Sequence, residues 1–285
     1  MKLATIAAGG GTNAAVVLPD GSYLPLGAPN LSSLLQQDQW REEATRQAAA
    51  PDAVARSVPR EGTTLLNPLP VPAKVICCGL NYSEHILEMG RELPRFPTLF
   101  AKFADTLTDP FADLDISGSE SVDWEGELAV VVGTALRHAD EAEAAAGIAG
   151  YTAANDISMR DWQNRTLQWF QGKAFDRSTP LGPVLVTADE LDPEAGVEVS
   201  CYLNGERMQH GNTASLVFSA ARLLSYISTF TELRPGDIVL TGTPGGVGMG
   251  MNPPRYLSDG DVLTTEVGGI GRLENHIRVS SRVTA

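Results

Sequence analysis

Val122-Asp123-Trp124-Glu125-Gly126-Glu127-Leu128-Ala129-Val130-Val131-Val132 decides how this chain is read. A β-branched apolar run follows a segment of period-two alternation, so the stretch reads as a strand. Residues i, i+2 and i+4 of a strand share a face, which sets Asp123, Glu125 and Glu127 side by side. Three carboxylates beside a core-bound valine run repel one another and are costly to desolvate. A divalent cation relieves both costs, and oxygen-only ligands select a hard ion such as Mg²⁺, Mn²⁺ or Ca²⁺. The alternative is an edge strand with a solvated acidic face. This stretch alone leaves both open.

Composition narrows the field. At 285 residues the chain can bury one large core or two unequal ones. Hydrophobic residues make up 43% and charged residues 20%, proportions expected of a globular enzyme. No apolar run is long enough to span a bilayer, and Met1-Lys2-Leu3-Ala4-Thr5 lacks the apolar core of a signal peptide. A cytoplasmic location without a membrane partner is expected. The net charge of −14 argues against nucleic acid, which wants a basic footprint. Anionic small molecules stay open if a metal and local Lys or Arg residues reverse the potential in one cleft. Cys77, Cys78 and Cys201 show no metal-ligand spacing and read as buried free thiols.

Outward from the acidic stretch, the first 60 residues have their own texture. Ala14–Leu18 and Tyr23–Leu26 read as a hairpin around Pro19-Asp20-Gly21, Leu31–Ala50 as a helix or helix pair, and Pro51–Arg60 as a loop. The proline run Leu66–Pro72 cannot hold a ladder, so the boundary is placed there: residues 1–70 as a small domain and linker, 71–285 as the main domain. Beyond it strands dominate, with a hairpin at Asn204-Gly205 and a helix over Val217–Ile227 capped by Asn212 or Thr213. Strand-rich with interspersed helices points to an α+β fold with mixed β architecture.

Two further segments carry chemistry. In Gly150–Gln163, polar Asn155, Asp156, Ser158, Arg160, Asp161 and Gln163 crowd between apolar residues. A helix starting at Asp156 or Ser158 explains part of this. Beside Glu125 and Glu127, Asp156 would instead complete a facial set of three oxygen ligands with open positions. In Gly79–Glu88, Ser83 can cap a helix that carries His85 and Glu88 at i and i+3, a carboxylate fixing an imidazole as a general base needs. A surface His–Glu pair is the alternative. Lys102 and Lys173 each stand amid apolar neighbours, where a lysine usually snorkels outward. Thr241–Gly250 is a glycine-rich loop after a strand but matches no nucleotide fingerprint.

With these residues in order, the chain resembles the fumarylacetoacetate hydrolase family. Carrying the resemblance are Gly79-Leu80-Asn81-Tyr82 with His85 and Glu88, Asp123–Leu128, Gly150–Gln163, Gly172-Lys173 with Phe175-Asp176, Leu240–Pro244, and Gly269–Asn275. Together they span about residues 73 to 280 in family order. The resemblance implies a mixed β-sandwich roll catalytic domain, a homodimer, and Mg²⁺ or Mn²⁺, with Ca²⁺ as a substitute, on Glu125, Glu127 and Asp156. It implies His85 with Glu88 as a water-activating dyad and Lys173 as a catalytic cation. It places Lys102, Gln163, Arg160 and Thr243 against a small anionic 2-oxo acid. The activity implied is hydrolysis of a C–C bond in a 2,4-dioxo acid, an acylpyruvate or fumarylpyruvate, with decarboxylation or isomerisation of an oxaloacetate-like acid as the alternative. A non-catalytic ion-binding protein is the remaining alternative. Met159, Ala174 and Arg177 depart from the family pattern, so substrate identity does not transfer with the ligands.

Overall fold

The valine run is a central strand. In the computed structural model, Gly126–Val132 pairs antiparallel with Ile148–Asn155 on one side and with Ile238–Leu240 on the other. The structure describes residues 1–88 and 92–280, and for Ala8, His85 and Glu88 the backbone only. All seven residues of the strand are buried. Leu128, Val130 and Val132 enter one apolar cluster, and Ala129 and Val131 enter a second on the opposite face. A strand buried on both faces has no polar side to display, which is why the sequence stops alternating after Glu127.

The main sheet runs, in spatial order, Tyr23–Pro25, Gly11–Val17, Lys2–Ala8, Thr179–Thr187, Ile148–Asn155, Gly126–Val132, Ile238–Leu240, Val75–Gly79 and Thr98–Lys102. Thr64–Leu66 pairs with Lys2–Ala8, and Leu107–Thr108 with Thr179–Thr187. A second sheet runs Glu206–Asn212, Glu198–Leu203, Val262–Val267, Gly271–Ser280 and Leu114–Ser117. One face of the main sheet packs on the second sheet and on the helix Ala220–Ser228, through Val199, Val267, Leu273, Leu223 and Leu224. The other face is covered by the N-terminal helices Leu31–Leu34 and Trp40–Ala48, through Leu31, Leu34 and Trp40. A third cluster, with Trp124, Ile157, Met159, Leu203 and Leu263, fills the end of the second sheet beside the acidic segments. The α+β fold with a mixed β roll is therefore what the chain adopts.

The boundary expected near residue 70 is not a break in the hydrogen bonding: Lys2–Ala8 pairs with Thr179–Thr187, so the N-terminal strands extend the main sheet. Proline spacing reports where a ladder must stop but not which distant strand an earlier segment joins. Local turn chemistry is followed closely. Val17 faces Tyr23 across the Pro-Asp-Gly turn, and Leu203 faces Glu206 across Asn204-Gly205. The caps differ from expectation. Ser219, not Asn212 or Thr213, accepts from Arg222 N to start Ala220–Ser228, while Asn212 caps a single 3₁₀ turn. The helix near Asp156 begins only at Arg160, and Ser83 donates its hydroxyl to Ser215 O, 2.8 Å away.

Asn81 ties this frame together. It is fully buried; its Nδ2 donates to Phe218 O (3.0 Å) and Thr241 O (2.8 Å), and its Oδ1 accepts from Phe218 N (2.8 Å). Asn81→Ala strands three buried backbone groups at once. It should cost about 2–4 kcal/mol of folding free energy, read as a lower urea midpoint at unchanged slope.

Candidate active site

The acidic stretch breaks where chemistry needs it to. Val122–Asp123 pairs with Ser158–Met159, the ladder lapses over Trp124-Glu125, and Gly126–Val132 resumes in the main sheet. The lapse is held by polar groups at the end of the adjacent strand. Glu125 N donates to Asn155 Oδ1 (2.9 Å), and Asp156 N donates to Glu125 O (2.8 Å). Gly126 N donates to Gln209 Oε1 (2.9 Å). Glu125, Glu127 and Asp156 come together, their candidate ligand oxygens all within 4.8 Å of one another. Asp123 does not join them, which corrects the expectation of a shared face; the break at Trp124 re-aims it, and it accepts from Gly248 N and Met249 N instead.

Three cations surround these carboxylates. Lys173 Nζ donates to Glu125 Oε2 and Asp156 Oδ2, both at 2.8 Å. Lys102 Nζ donates to Asp156 Oδ1. Arg160 bonds Asp123 through Nε (2.8 Å), and through Nη1 it reaches Glu125 Oε1 (2.7 Å) and Gln163 Oε1 (2.8 Å). Neither lysine snorkels: both are buried, Lys173 with 1% of its surface exposed. Gly172 explains the Gly-Lys pair, since a Cβ there would meet Gln163 N and Met159 O, each at 2.5 Å. Only glycine lets the short helix Phe170–Lys173 lie against Arg160–Gln163 and bring Lys173 to the carboxylates.

The electrostatics divide the ligand set. Burial pushes the Glu127 carboxyl well above its ordinary range, and Asp156 and Glu125 push it further. Burial works on Asp156 in the same sense, but Lys102 and Lys173 outweigh it and hold Asp156 below the ordinary value. Lys173 loses from burial and gains more from Asp156 and Glu125, so its ammonium form is favoured. Three carboxylates of this kind, with no sulfur or nitrogen donor among them, fit a hard divalent cation such as Mg²⁺ or Mn²⁺.

A cavity of about 570 Å³ opens beside the cluster. Glu125, Arg160, Gln163, Lys173 and Thr243 supply its polar wall, and Leu80, Phe100, Trp169, Val247, Met249 and Met251 its apolar wall. Lys102 is buried and paired with Asp156, and it is not among the residues that line the cavity. Thr243 lines the cavity, but its hydroxyl donates to Gly126 O (2.9 Å) and accepts from Gln209 Nε2 (2.8 Å), so its proton is already committed. Ser83–Glu88 is helical as expected, and the His85 and Glu88 side chains lie outside the described residues. Sequence reasoning passed over Gln209 and Trp169. Gln209 is a lone amide in a hairpin strand, and no local pattern marks it.

With this geometry in view, similarity to known proteins becomes informative. Residues 74–278 match the fumarylacetoacetate (FAA) hydrolase C-terminal family. The chain belongs to the fumarylacetoacetate hydrolase family. It is 38% identical over 268 residues to the human mitochondrial oxaloacetate tautomerase FAHD2A, covering 93% of this chain and 85% of the relative. Among solved structures it resembles fumarylacetoacetate hydrolase from psychrophilic Exiguobacterium antarcticum, with a TM-score of 0.84 and 32% identity over 98% of this chain and 100% of that one. It also resembles 5-carboxymethyl-2-hydroxymuconate delta-isomerase from Mycobacterium smegmatis, with a TM-score of 0.81 and 32% identity at the same coverage. Among the described residues no helix is long and apolar enough to cross a membrane.

Mn²⁺ or Mg²⁺ at a hundred times its dissociation constant should stabilise the folded protein by about 2.7 kcal/mol, seen as a rise in Tm. Glu127→Gln, which removes a ligand charge and keeps the shape, should abolish that rise. A Tm indifferent to metal in the wild type would remove the cation from this cluster.

Proposed function

We propose that this chain is a divalent-cation-dependent enzyme that interconverts the enol and keto forms of a 2-oxo dicarboxylate of the oxaloacetate kind. One observation carries the reading: Arg160, buried and lining the cavity beside the carboxylate cluster, has an Nη2 with no partner. A buried guanidinium nitrogen without an acceptor is costly, and a substrate carboxylate is the group that satisfies it best. Oxaloacetate tautomerase is the activity in the name of the human relative, and delta-isomerase that in the name of one similar structure. Both names support keto–enol chemistry ahead of the hydrolysis implied by the family resemblance.

The residues divide the work as follows. Arg160, braced by Gln163, receives the C1 carboxylate and orients the 2-oxo group. As the C3 proton leaves, negative charge builds on the 2-oxo oxygen, and the Lys173 ammonium lies on the same wall to stabilise it. Lys173 serves as a charge and not as the base, because Asp156 and Glu125 favour its protonated form. Glu125, Glu127 and Asp156 would hold a divalent cation, which when bound would supply Lewis-acid stabilisation to the same developing charge. His85 with Glu88, a water-activating dyad on the family resemblance, would here take up and return the C3 proton.

A second reading is hydrolysis of a longer 2,4-dioxo acid, and the cavity favours it in one respect. Phe100 and Trp169, edge to face at 5.7 Å, extend an apolar wall beyond what a four-carbon acid can cover. Both reactions pass through a pyruvate-type enolate, so the same cations serve either.

The deciding assay follows decay of oxaloacetate enol absorbance and, separately, pyruvate release from an acylpyruvate, each with and without EDTA. Enol–keto exchange should be accelerated and EDTA-sensitive, and Lys173→Met should slow it by about 10²–10³-fold. Absence of acceleration on oxaloacetate together with brisk pyruvate release would install the second reading. His85→Ala should lower pyruvate release by about 10²–10⁴-fold while leaving metal affinity intact. The proposal includes a homodimer without disulfides, so sedimentation at micromolar concentration should show twice the chain mass.

A further inference from the structure

Asp123 is the carboxylate of its stretch that the ligand cluster leaves out, and it is fully buried. Its Oδ1 accepts from Trp124 N (2.8 Å) and Gly248 N (2.7 Å), and its Oδ2 accepts from Arg160 Nε (2.8 Å) and Met249 N (3.0 Å). Both oxygens are thus used twice, which exhausts a carboxylate's acceptor directions. Two of the four donors belong to the turn at Gly248-Met249, which carries part of the cavity wall. Contact there is tight: a Cβ on Gly248 would lie 1.9 Å from Arg255 O and 2.8 Å from Asp123 Oδ1. A third donor is the substrate-facing guanidinium. A guanidinium is planar, so fixing Nε on Asp123 and Nη1 on Glu125 and Gln163 fixes where the free Nη2 points.

We propose that Asp123 is a positioning residue for substrate binding. It sets the plane of Arg160 and ties that side chain to the Gly248-Met249 turn, so that the anion-binding group and the adjoining cavity wall are held as one unit. Asp123 lies outside the group of three clustered carboxylates and is joined to Glu125 through Arg160, so its effect on metal binding should be smaller than on the anion. The inference rests on the reading that Arg160 receives a substrate carboxylate.

Oxalate, a planar dianion with the two adjacent oxygens of a 2-oxo acid, is the probe. Its binding to Mn²⁺-loaded protein is measured by calorimetry for wild type, Asp123→Asn, Arg160→Lys and the double variant, with Mn²⁺ affinity measured separately by electron paramagnetic resonance. Asp123→Asn keeps the shape but sets an amide against two N–H donors, and should weaken oxalate about ten- to hundredfold. Mn²⁺ affinity should move by less than about threefold. In the Arg160→Lys background, where the guanidinium plane is gone, the same change should weaken oxalate by less than about threefold, a non-additivity that a general loss of packing does not produce. If Asp123→Asn does not fold, Asp123→Glu, which keeps the charge and displaces it by one methylene, is read against the same expectations. Additive effects, or equal losses of Mn²⁺ and oxalate, overturn the positioning role. Oxalate binding indifferent to Arg160→Lys overturns the functional reading and this inference with it, whereas sensitivity to Arg160→Lys alone overturns only the inference.

Discussion

Two buried lysines clasp one buried carboxylate: Lys102 and Lys173 each donate to a different oxygen of Asp156, and of the three only Lys173 borders the cavity. Taking such charges out of water is costly unless they are paired and well placed. The three come from separate elements, the end of Thr98–Lys102, the residue after Ile148–Asn155, and the end of Phe170–Lys173. Their meeting therefore requires that the main sheet be complete on both sides of Gly126–Val132. Removing either lysine leaves Asp156 half-compensated in a dry interior. Burial of Glu127 beside it makes that carboxyl harder still to ionise, so the cluster holds a standing demand for positive charge. A divalent cation on Glu125, Glu127 and Asp156 would meet that demand beside the two lysines.

Charged and neutral polar groups carry different tasks. The charges face the cluster and the cavity; the amides set the backbone. Asn155 spans from Glu125 N to Thr265 Oγ1, Gln209 from Gly126 N to Thr243 Oγ1 and Pro244 O, and Asn81 from Phe218 to Thr241. An amide offers a donor and an acceptor with no net charge, so it can bridge a strand break inside a core without adding to the electrostatic load. The second sheet, through Gln209 and Thr265, thereby fixes the strand break that bears Glu125 next to the start of the strand that bears Glu127. The site is in this sense a product of both sheets.

What the sequence made legible follows the range of the interactions. Hairpins at Pro19-Asp20-Gly21 and Asn204-Gly205 are set by turn residues acting on their neighbours, and both form as read. The valine run announces a doubly buried strand because a solvated face would have required polar alternation. Glu125, Glu127 and Asp156 were nameable because the family resemblance supplied a pairing that spacing alone left open. Asp123 went astray for a physical reason: its direction depends on Asn155 and Gln209, which grip Glu125 and Gly126 from 30 and 83 residues away. No local periodicity encodes that break. The burial of Lys102 and Lys173 was hidden for the same reason, since a lysine among apolar residues looks alike whether it reaches water or a buried carboxylate.

Tautomerase and hydrolase differ less in this site than their names suggest. Each needs an anchored C1 carboxylate and a stabilised oxygen at C2, and on the proposed function Arg160 and Lys173, both lining the cavity, would supply them. Hydrolysis adds two demands, a water delivered to a distal carbonyl and space for the departing acyl group. On the proposed roles, the first would fall on the His85 segment and the second on the wall built by Phe100, Trp169, Met249 and Met251. Phe100 and Trp169 stand in the segments that bear Lys102 and Lys173, and Lys173 Nζ lies 5.1 Å from the Phe100 ring, so the apolar wall and the buried charges share their supports. Trp169 illustrates the point: its indole lies over Gly79, where a Cβ would come within 2.5 Å of the ring. A larger residue at position 79 would push aside the ring that caps Phe170–Lys173 and reshape the cavity. On the proposed function, substrate choice falls to the apolar wall, while the charged centre would set the kind of intermediate a substrate passes through.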